Sequence, residues 1–266
     1  MTTPAALTIA GSDSSGGAGI QADLKTFAAL GVYGASAITA LTAQNTRGVT
    51  GIHLVPAEFL RAQIDAVFSD LDIGAVKIGM VAQLPSIEAI VEALKRWSPK
   101  HVVLDPVMVA TSGDRLLAAD AVDALRTKLI PLASTITPNL PEAAALLDQP
   151  IATNAAAIQH QGEMLLTLGC PAVLIKGGHG EGSESTDYLI RAGGTLALPA
   201  PRVATQNTHG TGCSLSSAIA AELAKGAELE TAVRNAKVFV RAAIASADRF
   251  SIGHGHGPIH HFHRFY

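Results

Sequence analysis

Two glycine-rich turns stand where helices begin, and the second has the composition of an anion-binding site. It runs from Asn207 to Cys213 and places Gly210, Thr211 and Gly212 directly before the cysteine. Glycines leave room for an oxyanion beside unpaired N–H groups, and the positive end of a helix dipole attracts negative charge. The helix start is also expected to lower the pKa of the Cys213 thiol below its ordinary value of about 8.5. A buried, structural cysteine in a plain helix start is the alternative interpretation.

The first turn, Gly11–Gly19, follows a short apolar run and precedes a helix predicted over Gln21–Leu30. Its glycines permit a ligand to approach the backbone closely. The spacing is not that of Gly-x-Gly-x-x-Gly, and no Gly-Lys-Ser/Thr follows. The pattern therefore leaves two interpretations, a loop that lines a ligand or a tight turn.

Polar residues at three further strand ends are candidates for metal and phosphate binding. Asn139 and Glu142 join a strand to a helix, Lys176 ends a second strand, and Asp105 ends a third. Ligands of α/β folds bind at the carboxyl ends of strands. Glu142 and Asp105 are candidate ligands of Mg²⁺, which keeps several waters, and Lys176 is a point charge for phosphate. The structural alternatives are a helix cap for Asn139 and Glu142, a turn cap for Asp105 and a surface position for Lys176.

The segment Gly253–His263 holds five of the ten histidines. A His-rich tract is typical of metal binding. The spacing gives no helical pair of histidines, and the glycines predict irregular backbone. A structural role for this segment therefore stays open beside metal binding.

Apolar runs and helical patterns alternate along the chain, which predicts an α/β fold with a doubly wound, mainly parallel sheet flanked by helices. The predicted strands are Ala5–Ala10, Ala35–Ala43, Ala75–Met80, His101–Met108, Ser134–Thr137 and Ala172–Lys176. Helical spacing of apolar residues recurs over Leu60–Phe68, Ile87–Leu94 and Val122–Leu129.

Two stretches depart from this alternation. Thr50–Val55 closely follows the second predicted strand and predicts a strand–strand element, and Ser185–Leu198 predicts a small antiparallel hairpin around Gly193 and Gly194. No linker, low-complexity stretch or repeat divides the chain. Residues 1–266 are therefore interpreted as a single domain.

Composition excludes several classes of protein. The 266 residues carry a formal net charge of −3, with 48% hydrophobic and 15% charged residues, so a large core is expected and disorder is not. A slightly acidic chain without a basic cluster is a poor nucleic-acid or membrane-surface binder. Two cysteines exclude a disulfide-stapled scaffold, and no apolar run is long enough to span a bilayer. A cytoplasmic globular protein is expected, since the first residues lack the features of a signal peptide.

Taken together, the motifs resemble the hydroxymethylpyrimidine/phosphomethylpyrimidine kinases of thiamine biosynthesis, a family of the ribokinase-like fold. The resemblance extends from about Leu7 to His263 and includes the His-rich tail. The segments that carry it are Gly11–Lys25, Thr42–Thr46, Lys77–Met80, Asp105–Met108, Thr137–Ala143, Lys176–His179, Asn207–Cys213 and Gly253–His263.

The resemblance implies a set of site residues. The pyrimidine would contact Gly11, Asp23, Gln44, Met80 and Val107, and the donors and acceptors of an aminopyrimidine edge suit a carboxylate and an amide. The resemblance also implies that ATP lies across Asn139, Glu142, Lys176, Thr208 and the Gly210–Cys213 turn, with Mg²⁺ near Glu142. It implies that Cys213 takes the place of the aspartate that is the general base in sugar kinases of this fold.

The expected activity is ATP-dependent phosphorylation of 4-amino-5-hydroxymethyl-2-methylpyrimidine to its monophosphate and then to the diphosphate. A pyridoxal or pyridoxine kinase is the nearest rival, and Gln44 and Met80 favour the pyrimidine enzyme. The alternative from another class of protein is a non-catalytic pyrimidine sensor. A sensor would not need Asn139, Glu142, Lys176 and Cys213, so the presence of these residues favours a kinase. The family implies a homodimer, in which the segments 49–54 and 185–198 are candidate contact or lid elements.

Overall fold

The structure, a computed structural model, describes residues 3–108, 119–179 and 182–266. The strands of this part are β1 (Ala5–Asp13), β2 (Tyr33–Asn45), β3 (Gly48–Leu54), β4 (Ile73–Ile78), β5 (Val102–Leu104), β6 (Thr135–Ile136), β7 (Ala172–Ile175), β8 (Asp187–Arg191) and β9 (Gly194–Leu198). They form one nine-stranded sheet in the order β3-β2-β1-β4-β5-β6-β7-β8-β9.

The six central strands lie in the order β2-β1-β4-β5-β6-β7 and are all parallel. An antiparallel partner closes each side, because β3 pairs with β2 and the β8–β9 hairpin pairs with β7. The mainly parallel sheet and both strand–strand elements predicted from the sequence are confirmed.

The helices are α1 (Gly19–Ala29), α2 (Ala57–Phe68), α3 (Leu84–Trp97), α4 (Ala119–Ala124), α5 (Leu140–Leu147), α6 (Ala155–Leu166), α7 (Thr211–Ala224) and α8 (Leu229–Ala245). Alternate residues of β1 point into two separate cores. Leu7 and Ile9 pack with α2 to α6, whereas Ala6 packs with α1, α7 and α8. Because helices cover both faces of the sheet, its strands are apolar on both sides.

Two predicted elements differ from those observed by more than a small shift of their ends. The run His101–Met108 forms only the three-residue strand β5, and its last residues leave the sheet to line a cavity. The spacing over Val122–Leu129 predicts one helix, but α4 passes into a π-helical turn over Leu125–Leu129. Leu125 and Leu129 remain buried in this wider turn, and Pro131 ends it within a 3₁₀ turn.

Candidate active site

A cavity of about 760 Å³ lies at the edge of the sheet where the parallel strands end. Asp13 ends β1, Asp105 directly follows β5, and Lys176 directly follows β7, so parallel topology brings residues that are distant in the sequence to one edge. The cavity is lined by thirteen of the predicted site residues: Gly11, Gln44, Met80, Asp105, Val107, Asn139, Glu142, Lys176, Thr208, Gly210, Thr211, Gly212 and Cys213.

Asp13 organises the first glycine-rich turn and was not among the predicted site residues. Its Oδ1 accepts hydrogen bonds from the N–H and hydroxyl of Ser15, at 2.8 and 2.7 Å. Its Oδ2 accepts from the N–H groups of Gly17 and Ala18 and lies 2.9 Å from Nε2 of His209. Burial alone would raise the pKa of Asp13, but the hydrogen bonds from His209, Ser15 and Ala18 outweigh burial and hold it well below its usual range.

The two glycine-rich turns contact each other directly. A Cβ added to Gly210 would lie 1.9 Å from the carbonyl oxygen of Gly17, and a Cβ on Gly17 would lie 2.3 Å from the His209 ring. Gly210 also has a φ of +80°, which favours glycine. The glycines therefore allow the two turns to pack closely enough for His209 to reach Asp13.

Gln44 lies beside this contact, on the half-buried inner edge of β2. Its Oε1 accepts a hydrogen bond from the Thr42 hydroxyl at 2.9 Å, and its Nε2 lies 3.4 Å from Nε2 of His209. Because a carboxylate only accepts, Nε2 of His209 donates its proton to Asp13 and has no lone pair for Gln44. The amide N–H₂ of Gln44 is thus available to a ligand in the cavity.

Met80 and Val107 form an apolar wall opposite this polar edge. They pack with Ala40 and Ala82 in one small cluster. Gly11 lies against Met80, because a Cβ added to it would be 2.7 Å from the methionine methyl group. The polar amide of Gln44 and the apolar side chains of Met80 and Val107 thus line the same cavity.

The structure corrects the expected position of Asp23. Its side chain is fully buried in α1 and does not line the cavity. Both oxygens accept hydrogen bonds from Lys77, at 2.9 and 2.8 Å, and the hydroxyls of Ser217 and Thr8 each donate to one of them at 2.6 Å. Each oxygen of this carboxylate already accepts two hydrogen bonds from the protein. Asp23 therefore binds Lys77 and is not available to a pyrimidine.

A second lysine–carboxylate cluster lies at the mouth of the cavity. Lys176 donates a hydrogen bond of 2.7 Å to Oδ1 of Asp105, and its Nζ lies 3.7 Å from Oε2 of Glu142. Thr137 also donates to Asp105. Burial opposes the charge on Lys176, but the two carboxylates outweigh burial and hold the pKa of the lysine above its usual range. The motif continues to His179, whose side chain lies outside the described part of the structure.

Glu142 combines a capping role with a place in this cluster. The N–H of Glu142 donates to Oδ1 of Asn139 and the N–H of Asn139 donates to Oε2 of Glu142, each at 2.8 Å. This capping box confirms the predicted structural role of both residues. Burial raises the pKa of Glu142 to about 7, and repulsion from Asp105 adds to the effect while Lys176 opposes it.

Asp105 and Glu142 fit a magnesium ion that keeps most of its own waters. Two hard carboxylates face one ammonium group, so they carry an excess of negative charge once Glu142 is deprotonated above about pH 7. Across the three described ranges no group of three His, Cys, Asp or Glu side chains is arranged to hold a metal ion. The protein therefore offers few ligands, as in magnesium sites completed by waters and substrate phosphates.

The Cys213 thiol is half-buried on the cavity wall, in the first turn of α7. The expectation of a lowered pKa is wrong, because burial raises the pKa of Cys213 to about 11. Lys77 and the Gly19 N–H favour the thiolate, whereas the carboxylates of Asp23 and Asp105 disfavour it. The helix start alone did not reveal how many charged groups surround the sulfur.

The His-rich tail packs as a strap over the site. The N–H of His209 donates to the carbonyl of Gly257 at 3.0 Å, and the N–H of His256 donates to the carbonyl of Thr46 at 2.9 Å. Nε2 of His261 lies 2.8 Å from the Ser214 hydroxyl in α7. Burial lowers the pKa of His261 to about 3, so this histidine is neutral. These contacts support the structural role that the sequence left open.

Lys237 also lines this cavity and was not among the predicted site residues. Its Nζ donates to Oδ2 of Asp187 at 2.7 Å and to the carbonyl of Ser185 at 2.9 Å. Oδ1 of Asp187 in turn accepts from the N–H of Gly177 at 2.8 Å. This chain of contacts fixes the backbone directly after Lys176.

Solved structures define the class of protein. The chain superimposes on an ADP complex of pyridoxal kinase from Bacillus subtilis with a TM-score of 0.92, at 37% identity and with both chains fully covered. It superimposes on phosphomethylpyrimidine kinase from Clostridium difficile with a TM-score of 0.81 at 47% identity, over 90% of this chain and 99% of that one. The fold is that of the ribokinase-like kinases, as expected.

Sequence comparison narrows the class to a family. The phosphomethylpyrimidine kinase family profile matches residues 13–260. The hydroxymethylpyrimidine/phosphomethylpyrimidine kinase of Rhizobium meliloti is 59% identical over 264 residues, which cover 99% of each chain. The chain therefore belongs to the phosphomethylpyrimidine kinase family.

Proposed function

We propose that the chain transfers a phosphoryl group from ATP to the hydroxymethyl group of 4-amino-5-hydroxymethyl-2-methylpyrimidine, and then a second one to the resulting monophosphate. One observation carries the proposal: a single cavity contains an amide and apolar wall suited to an aminopyrimidine beside an anion-binding helix start. The near full-length similarity to kinases named for this substrate supports it.

The nucleotide binds along Asn139, Lys176, Thr208 and the Gly210–Cys213 turn. In the first turn of α7 the N–H of Thr211 donates to the carbonyl of Thr208, and the first intrahelical bond is that of Ser214 to Gly210. The N–H groups of Gly212 and Cys213 lie between these two bonds, and the glycines leave room beside them for phosphate oxygens. A Cβ added to Gly212 would lie 3.3 Å from Nζ of Lys176, so ammonium and amides converge on one point. Charge that develops on the transferred phosphoryl group is stabilised there.

The thiolate form of Cys213, a minor form at neutral pH because the pKa of the thiol is about 11, accepts the proton of the substrate hydroxyl. As the hydroxyl oxygen bonds to the γ-phosphorus, its O–H bond breaks and an S–H bond forms. The bond from the γ-phosphorus to the bridging oxygen breaks, and ADP leaves with that electron pair. Because phosphoryl transfer has a loose transition state, the electrostatic contribution of the turn is large beside that of the base.

A magnesium ion, when bound, neutralises charge on the nucleotide phosphates. Glu142 and Asp105 are the residues that would hold it, directly or through water. Lys176 keeps these two carboxylates together at the mouth of the cavity.

The test is ADP release by the purified chain with ATP, magnesium and one vitamin precursor at a time. We expect release with the hydroxymethylpyrimidine at a kcat/KM well above that with pyridoxal or pyridoxine. Preference for pyridoxal would assign the chain to the rival activity. Tight pyrimidine binding without ADP release with any precursor would indicate a sensor.

We further propose that the chain forms a homodimer through the β2–β3 edge. Exposed large apolar side chains occur on this hairpin, at Leu41, Ile52 and Leu54. Sedimentation equilibrium is expected to give twice the mass of the chain, and substitution of Leu41 by Glu is expected to weaken the association. A monomer at micromolar concentration would contradict the proposal.

Among the helices of the described residues, none combines the length and the apolar composition of a membrane span.

A further inference from the structure

The buried ion pair of Lys77 and Asp23 takes no part in the proposed steps of phosphoryl transfer. Both side chains have no exposed surface. Replacing a buried ion pair by apolar residues of similar volume is often neutral or stabilising, so the fold alone does not require this pair. Its position directly behind the cavity wall indicates another role.

Asp23 links the lysine to the helix that carries Cys213. Its Oδ1 accepts hydrogen bonds from Lys77 at 2.9 Å and from the Ser217 hydroxyl at 2.6 Å. Ser217 lies four residues after Cys213 in α7, so the two side chains project from the same face of the helix. Although its side chain has no exposed surface, Lys77 borders the same cavity as Cys213.

The backbone beside Lys77 is shaped to admit the ammonium group. Gly79 directly follows the last residue of β4, and a Cβ added there would lie 2.7 Å from Nζ of Lys77. An ammonium group has three N–H donors. Both hydrogen bonds that Nζ makes with the described residues go to Asp23, so one N–H is not used by the carboxylate.

Four charged groups surround the thiol from different elements. Lys77 in β4 has the strongest effect of the charges that act on Cys213, and it favours the thiolate. Asp23 in α1 and Asp105 after β5 oppose it. Lys176 after β7 also interacts electrostatically with Cys213. Removal of the Lys77 charge is therefore expected to change the pKa of the Cys213 thiol more than removal of any of the other three charges.

We propose that Lys77 is a positioning residue that acts on the reaction through Cys213: its ammonium group, held by Asp23 beneath α7, stabilises the thiolate that accepts the substrate proton. The inference rests on the proposed function, in which Cys213 is the base.

The test is the rate of thiol alkylation by iodoacetamide, measured from about pH 7 to about pH 10 on the intact protein without nucleotide or pyrimidine. Peptide mass spectrometry follows Cys213 and Cys170 separately. We expect Lys77→Met to slow alkylation of Cys213 about tenfold at each pH, which corresponds to a shift of its profile by about one pH unit. Cys170, buried beside β7, is an internal control whose rate is not expected to change.

Ser217→Ala is the matched variant, because it removes a hydrogen bond to Asp23 and keeps both charges. Its Cys213 profile is expected to coincide with that of the wild type. Should Lys77→Met fail to fold, the paired variant Lys77→Met/Asp23→Asn leaves no unpaired carboxylate and is expected to show a shift in the same direction.

Equal Cys213 rates in the wild type and the lysine variant would overturn the inference. An equal increase in the alkylation rates of both cysteines would also overturn the inference. It would show that the variant loosens the packing of the protein and has no specific effect on Cys213. No substrate is present in this measurement. If the thiol shifts as expected but the chain releases no ADP with the pyrimidine, the inferred effect on the thiol stands and the proposed function fails.

Discussion

Two lysine–carboxylate clusters flank the start of α7, and they differ in how their charges are balanced. Lys77 faces one carboxylate, Asp23, and neither side chain is exposed. Lys176 faces two carboxylates, Asp105 and Glu142, and 13% of its side chain is exposed at the cavity. The first cluster is closed and balanced, whereas the second is open and has an excess of negative charge once Glu142 is deprotonated. This difference indicates that the first holds groups of the protein and the second receives a ligand.

The largest effect is expected at Cys213, which lies between the clusters. A base within hydrogen-bond reach contributes about 10²–10⁴-fold to the rate, so we expect Cys213→Ala to lower kcat by this factor and to leave both KM values within a few fold. Because the pKa of the thiol is about 11, the wild-type kcat should rise with pH through the neutral range.

Cys213→Asp is the informative partner of this variant and should retain part of the rate, with a weaker dependence on pH. A Cys213→Ala protein with near-normal kcat would remove the base from the mechanism. The amide turn would then be the main catalytic element.

Breaking the closed cluster should affect stability more than any surface pair does. Asp23→Ala leaves a buried ammonium group without its partner, which typically costs about 3–5 kcal/mol in the free energy of unfolding. Glu92→Ala, which breaks the exposed pair with Arg61, is the control and should cost about 0–1 kcal/mol. Urea denaturation measures both, and equal costs would contradict the contrast between closed and exposed pairs.

Breaking the open cluster should affect catalysis rather than folding. Lys176→Ala is expected to lower kcat about 10²–10³-fold, as loss of one donor to a transition-state anion does. The second phosphorylation should suffer more than the first, because only the second brings an additional substrate phosphate to the site. Rates measured separately with the alcohol and its monophosphate test this, and equal losses would confine Lys176 to the nucleotide.

The smallest expected effect is the pH dependence that Glu142 confers on stability. Its pKa rises from 4.5 to about 7 on folding, so between these values the native state binds a proton that the unfolded state has lost. Stability should therefore fall as pH rises through this window. Glu142→Gln should remove that part of the slope, whereas parallel curves for variant and wild type would show that Glu142 does not titrate there.

Local patterns predicted the elements and most of the cavity lining. The alternation of apolar runs and helical faces, and the capping box at Asn139, depend on neighbours in the chain. Asp13 and His209 are 196 positions apart, and their contact depends on the close packing of two turns. Asp23 and Lys77 belong to conspicuous motifs, but only the tertiary fold shows that they satisfy each other in the core. The raised pKa of Cys213 could not be predicted from the sequence for the same reason, because it depends on how deeply the tertiary fold buries the thiol.

The most direct measurement follows the purified chain with the hydroxymethylpyrimidine, magnesium and excess ATP by ³¹P NMR. A chain that performs both transfers in one cavity should form a pyrimidine monophosphate ester first and the diphosphate afterwards, with ADP as the other product. If the pyrimidine remains unphosphorylated, or if its monophosphate accumulates and is never converted, the proposed two-step activity is wrong.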